Sequence, residues 1–347
     1  MKPRKNKVSG VRLRSLTIFV FLLFTSPLST VAQQVMKTYY DYKKTRIHEE
    51  YACNGSGVKN GQYKEFSENG TVIRQGAYKD DGKVGVWTYN DPVAGSFGTE
   101  TYDAKGVPNG KWLKYCSTNR NVKMLEGTYK DGKQEGVWIQ YFCDEGGNAQ
   151  NLRVEKEETY QSGQLNGKCT YYQENGEKGV GIVSNGAKSG EWKVFDVKGK
   201  MIKSHFYETW HGWNSRIETQ YYRDGSLKHK VQYLVDGNNN EMEKVGEELY
   251  KDSTGVLSVK NVWHIDSIVT QFGNKFYTGV HEEYYPSGKI LKKAGIRFYH
   301  GDQYDCVEET KYYENGNKKY ECKLDLYGKV VDGSFHEFLE DGTPVKK

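Results

Sequence analysis

The phrase Y-K-D-G-K-Q-E-G-V-W at Tyr129–Trp138 returns along the chain in altered form. It reads Y-K-D-D-G-K-V-G-V-W at Tyr78–Trp87, Y-D-A-K-G-V-P-N-G-K-W at Tyr102–Trp112 and Y-Q-S-G-Q-L-N-G-K-C at Tyr160–Cys169. Its closing glycines, Gly61, Gly85, Gly110, Gly136, Gly167 and Gly190, are separated by 24, 25, 26, 31 and 23 residues. A period of that size belongs to stacked supersecondary units, each unable to bury its own apolar face without a neighbour. Only 36% of the chain is apolar, against 39 Gly and 28 Tyr. That is poor material for a thick aliphatic core. It suits a thin all-β array in which tyrosine supplies buried area while its hydroxyl stays wet.

Residues 1–32 stand outside the repeat. Lys2, Arg4, Lys5, Lys7, Arg12 and Arg14 form a basic opening, Leu16–Phe24 a short apolar core, and Thr30-Val31-Ala32 a small-residue exit. This is the pattern of a cleaved export signal, with the cut expected after Ala32. The core falls well short of the roughly 20 apolar residues that span a bilayer. Removing the six positive charges of this segment takes the formal net charge from +5 to −1. The remaining chain is nearly neutral, and no nucleic-acid partner is expected of it. Export permits disulfides. The six cysteines (Cys53, Cys116, Cys143, Cys169, Cys306 and Cys322) show no C-x-x-C spacing, so one or two bridges are possible and none is required. A direct Cys306–Cys322 bridge is out of register across the turn at Asn315-Gly316, and Cys169, at a tryptophan position, reads as a small buried hydrophobe.

The pattern predicts an elongated array of stacked antiparallel β-hairpins with no helix beyond the leader. Residues 33–58 read as an irregular N-terminal cap, with a first strand possible at Tyr39–Tyr42. Residues 59–199 are clear repeats, 200–278 degenerate repeats with insertions, and 279–347 renewed repeats. Two turn types alternate. Glu68-Asn69-Gly70 and Glu174-Asn175-Gly176 predict two-residue hairpin turns, and Asp131-Gly132-Lys133 a longer connector. Asp236–Asn240 reads as a long exposed loop. In each unit a ring follows a glycine by two residues: Gly61/Tyr63, Gly85/Trp87, Gly110/Trp112, Gly136/Trp138 and Gly190/Trp192. Residues two apart share a strand face, so each ring is expected to cover the glycine of its own strand and the rings to form a ladder. A second aromatic three residues on, such as Tyr141 after Trp138, falls on the opposite face.

The Y-x-x-N-G-K and Y-K-D-G-K-x-x-G-x-W pattern resembles MORN repeats, specifically a bacterial variant found in proteins labelled YwqK-type antitoxin components. The resemblance implies stacked hairpins and roles in protein or membrane association. It supplies no catalytic residues, and an antitoxin role sits badly with an export signal.

No chemistry stands out in the residues themselves. His281-Glu282-Glu283 lacks the second histidine of a zinc-protease motif, with Tyr285 in its place, and reads as an exposed polar strand. His205 and His211 have no metal-ligand spacing. The turn lysines Lys79, Lys130 and Lys133 read as guards against sheet-to-sheet pairing. The expectation is a non-enzymatic, exported scaffold without cofactor or metal, contacting protein, glycan or membrane through its Tyr/Trp rows. An antitoxin-like inhibitor, or a hydrolase built on His205, His211 and Asp266, are the alternatives.

Overall fold

The computed structural model describes residues 33–143, 152–238, 240–269, 275–298, 304–325 and 327–346; the expected leader lies outside them. The described chain is β throughout. Its 23 strands, numbered β1 to β23 in chain order, form one sheet, and each pairs antiparallel with the strands before and after it. No described residue is helical. At about 4.8 Å per strand the sheet runs for about 100 Å along its hydrogen-bonding direction. Residues expected to be irregular are also part of it. β1 (Gln34–Tyr39) and β2 (Ile47–Cys53) form the first hairpin, and Tyr40–Tyr42 lie in its turn. Residues 200–238 keep the succession without a break, from β14 (Met201–Trp210) through β15 (Trp213–Tyr221) to β16 (Leu227–Val235).

The turn types are the reverse of the sequence expectation. The two-residue turns are those of the D-G-K kind. Lys130 pairs with Lys133 across Asp131 (φ 50°) and Gly132 (φ 79°), both left-handed as a type I′ turn requires. The E-N-G turns are three-residue loops. Ser67 N–H donates to Thr71 O (2.9 Å), Gly70 N–H donates to Ser67 O (2.9 Å), and Gly70 has φ 82° while Asn69 stays right-handed. Asn69 acts through its side chain instead, its Oδ1 accepting from Thr71 N–H at 3.1 Å. In the expected loop at 236–240, of which residue 239 lies outside the described residues, Asp236 draws the two Asn residues it can reach back onto itself. Its Oδ1 accepts from the N–H groups of Asn238 and Asn240, both at 2.8 Å.

One edge of the sheet is also stapled. Tyr222 donates its hydroxyl to Lys251 O (2.8 Å) and Tyr285 to Tyr312 O (2.9 Å), each reaching the next turn on the same side. A disulfide joins Cys116 and Cys143 with their Cα atoms 5.7 Å apart. It links the end of β7 (Gly110–Tyr115) to the residues after β9 (Lys133–Tyr141), across the intervening β8 (Lys123–Lys130). Cys53, Cys169, Cys306 and Cys322 are free thiols. Breaking the bridge by Cys143→Ser is expected to cost about 2–4 kcal/mol, the usual contribution of a native disulfide. Calorimetry with and without reductant checks this: reductant should lower the wild-type transition to that of the variant and leave the variant unmoved.

Candidate functional site: the central row of the sheet

The five glycine-and-ring pairs occupy one level of the sheet, on one face, and the packing that organises them runs between strands. Opposite Gly136 the ladder shifts: Glu126 pairs with Ile139 but Thr128 with Glu135, so Gly136-Val137-Trp138 face the single residue Gly127. Gly136 (φ 72°) starts this bulge, as Gly85 (φ 68°) and Gly190 (φ 61°) start theirs. The bulge swings Trp138 onto Gly127, where any Cβ would collide with the indole. Trp87 lies in the same way over Gly76, and Trp192 over Gly181. Above Gly136 itself there is open space. The ring therefore covers a glycine on the preceding strand, not the one on its own. Tyr63 and Trp112 sit directly opposite Gly76 and Gly127, while Gly61 and Gly110 take positive φ at their strand starts.

The first residue of the repeated phrase completes the packing. Tyr129 meets Trp138 edge-on at 5.1 Å between ring centres, and Tyr78 meets Trp87 at 4.8 Å. Rings follow one another from Tyr102 through Trp112, Tyr129 and Trp138 to Tyr160 at 6.2, 4.6, 5.1 and 6.4 Å. Where a lysine stands four residues before the ring, as it does before Tyr63, Trp87 and Trp192, it roofs that ring. Lys83 Nζ stands 4.8 Å over Trp87 and Lys188 Nζ 4.7 Å over Trp192. These lysines differ from the turn lysines Lys79, Lys130 and Lys133, which are exposed. Carboxylates fill the gaps between rings. Glu100 accepts from Tyr89 (2.7 Å) and Tyr102 (2.8 Å), and Glu158 from Tyr160 and Tyr171, both at 3.1 Å. Burial, reinforced by these carboxylates, pushes the Tyr102 and Tyr160 hydroxyls up to about 12.

The consequence is that Trp87, Trp138 and Trp192 are only 0%, 4% and 3% exposed. Among the described residues there is a single sheet and no second one above it, so the rings are covered by one another, by neighbouring backbone and, in some units, by lysine stems. Trp87, Trp138 and Trp192 thus serve to hold the array together and offer little surface of their own. Exposed apolar groups lie on the other face: Val86, Val137, Ile182 and Phe206, joined at the β14–β15 turn by Trp213, which is 60% exposed. Tyr141 is also on that other face, buried there with its hydroxyl donated to Glu126.

Past Trp192 the same row turns polar. Cross-strand pairing carries it from Trp192 to His205, Glu218 and Val231, then from Glu248 to Asn261, His281, Ala294, Glu309 and Cys322. Glu248 holds a ring position. Gly246-Glu247-Glu248 form the same three-residue bulge, here opposite Val231. Lys244 precedes Glu248 by four residues, as Lys83 precedes Trp87, so K-x-G-x-E was the sequence signal for this site. Glu248 is 1% exposed. Its Oε1 accepts from Lys244 Nζ (2.9 Å), Tyr250 Oη (2.9 Å) and His229 Nε2 (3.1 Å), and its Oε2 from Asn261 Nδ2 (2.8 Å). Asn261 Oδ1 in turn accepts from His281 Nδ1 at 2.7 Å. His281 is thus buried in the row, not on an exposed polar strand. The reason is its pairing with Asn261 and Ala294, which puts it on the ring face. A groove of about 420 Å³ opens over Lys244, Glu248, Tyr250, Asn261, Trp263 and His281.

Burial by itself would raise the Glu248 carboxyl, but the hydrogen bonds from His229, Lys244 and Asn261 outweigh it and hold it down at about 2. Burial depresses His205 to about 4, with Glu218 at 3.7 Å only partly opposing it. Both shifts bind fewer protons in the folded state, so both stabilise at neutral pH and are lost on acidification. The His205 contribution should fade between pH 6.5 and 4, and that of Glu248 between about 4.5 and 2. A series of thermal melts checks this: His205→Gln should flatten the first stage and leave the second in place.

The elements proposed for hydrolysis do not converge. His205 faces Glu218 on β14, whereas His211 (φ 47°) sits in the β14–β15 turn against Trp210; the Asp266 side chain lies outside the described residues. Glu282 and Glu283 point to opposite faces, the first bonded to Tyr284 and the second to His281. Among the described residues no group of three metal-donor side chains comes together.

Three segments, residues 59–80, 277–294 and 306–324, match the MORN repeat variant. Those three segments carry MORN repeats. The first matched segment spans the hairpin of β3 (Lys59–Phe66) and β4 (Val72–Lys79), so one MORN unit here is a hairpin closed by a three-residue E-N-G turn. No curated protein matches the chain. Among solved structures, it is similar to a chain of the Photorhabdus luminescens Tc holotoxin pore at 12% identity and a TM-score of 0.18, over 90% of this chain and 23% of that one. It is also similar to a chain of a TcdB2–TccC3 complex lacking its hypervariable C-terminal region, at 12% identity and a TM-score of 0.16, over 90% and 17%. The chain spans less than a quarter of either.

Proposed function

We propose that this MORN array is a non-enzymatic, exported scaffold that binds a protein partner through the face opposite its ring row. The observation behind this reading is the division of labour between faces. The rings are buried in the array, while Phe206 and Trp213 stand 43% and 60% exposed on the other side. Exposed tryptophan and phenylalanine make strong anchors because a rigid ring offers large area at small entropic cost. The partner should therefore be retained on the wild-type protein and lost from Phe206→Ser/Trp213→Ser, with the thermal transition unchanged. Partners captured equally by both proteins would end the reading. Export rests on the sequence of residues 1–32; determining the N-terminus of the protein in cells, and the fraction that holds it, tests it. An N-terminus at Met1 in the cytoplasm would favour the antitoxin-like inhibitor instead.

A further inference from the structure

The sheet has two ends, and they differ. At the C-terminal end, β23 (His336–Glu337) is two residues long, and the chain folds back on itself through the Phe338–Pro344 bridge. Short strands and proline are ordinary devices for blunting an edge. At the N-terminal end, β1 presents six residues, and among the described residues only β2 pairs with it. The guards on β1 are light: one lysine, and one shift of the ladder with β2 between Thr38 and Tyr39. β1 contains no proline, and its only charge, Lys37, is exposed and paired with Glu50 of β2 at 2.9 Å. Val35 and Met36 are 63% and 44% exposed.

Met36 also extends the central row. It pairs with Tyr51, which pairs with Tyr63 opposite Gly76, beneath Trp87. Terminal units of a repeat array normally carry a polar outer cap. Here, among the described residues, the row ends on an exposed thioether beside a backbone edge that only β2 pairs from within.

We propose that β1 pairs antiparallel with β1 of a second copy, joining two arrays into one continuous sheet. An open edge accepts a strand, and the blunted C-terminal end of another copy cannot provide one. Pairing β1 with itself closes a two-fold dimer and leaves no further open edge. Opposed residues share a face, so a two-fold axis normal to the sheet requires an even register sum. Setting Met36 against Met36 meets that condition. It continues the row from one copy into the other and places each Val35 opposite a Lys37, keeping the two ammoniums apart. One strand pair lies at the small end of protein interfaces, so association should be micromolar.

Sedimentation velocity from 1 to 100 µM, on the protein as isolated from cells, tests the proposal. The weight-average mass should rise from one copy towards two across that range. Met36→Lys sets two ammoniums face to face on the axis and should weaken dimerisation at least tenfold, with the thermal transition unchanged. Met36→Cys should form a covalent dimer under mild oxidation, and Val35→Cys should not. A wild-type protein monomeric at 100 µM, a dimer indifferent to Met36→Lys, or equal crosslinking by both cysteine variants would each overturn it.

Discussion

Gly127→Ala is expected to destabilise the array by about 3 kcal/mol, and Gly136→Ala by only about 1–2 kcal/mol. At Gly127 the new methyl group would occupy space held by the Trp138 ring, with Trp112 directly opposite. The indole must leave a site where it is 4% exposed, which approaches the loss of a buried tryptophan. At Gly136 nothing lies within reach of a Cβ, so the cost is that of a left-handed alanine, roughly 1–2 kcal/mol. Urea titration followed by tryptophan fluorescence separates the two. Because a repeat array need not unfold in one step, the comparison rests on the transition midpoint of the same probe. The opposite ranking would mean that each ring covers the glycine of its own strand.

Glu248→Ala should cost 3–5 kcal/mol, the usual penalty for leaving a buried ionic partner unpaired. Lys244 and His229 would lose the acceptor that holds them, and Asn261 would lose its anchor to the row. A sharper test asks whether Glu248 is a rewritten ring position. Trp192 has room because Gly181 lies beneath it, whereas Glu248 stands over Val231, itself fully buried. Glu248→Trp alone should therefore be strongly destabilising. Combined with Val231→Gly it should recover, with a favourable coupling of about 1–3 kcal/mol. Additive losses in that double-mutant cycle would show that the polar stretch does not share the geometry of the ring stretch. Lys244, freed from Glu248, would then be expected to move over the new indole as Lys83 does over Trp87.

The polar row was the least legible part of the chain. Its members are scattered over strands from β14 to β22 (Lys318–Lys323), and none is a neighbour of another in sequence. Reading His281-Glu282-Glu283 along the strand gives three polar residues and suggests solvent. Only the pairing of His281 with Asn261, two positions from Trp263, shows that its side belongs to the ring face. The error over the ring's partner has a related cause. An offset of two does put Gly136 and Trp138 on the same side in a regular strand, but the bulge at Gly136 breaks that regularity.

By itself the sequence determined the class of structure. Tyrosine, tryptophan, Asn-Gly and Asp-Gly recurring every two dozen residues leave a chain few ways to bury its rings except in successive hairpins. That inference needs only local physics: turn conformations and the two-residue period of a strand. Tertiary structure decided what the rings lie on, which face stays open, and that a buried carboxylate takes a ring's place at Glu248. Those outcomes depend on register between neighbouring strands, and a bulge that shifts the register reassigns every contact across it.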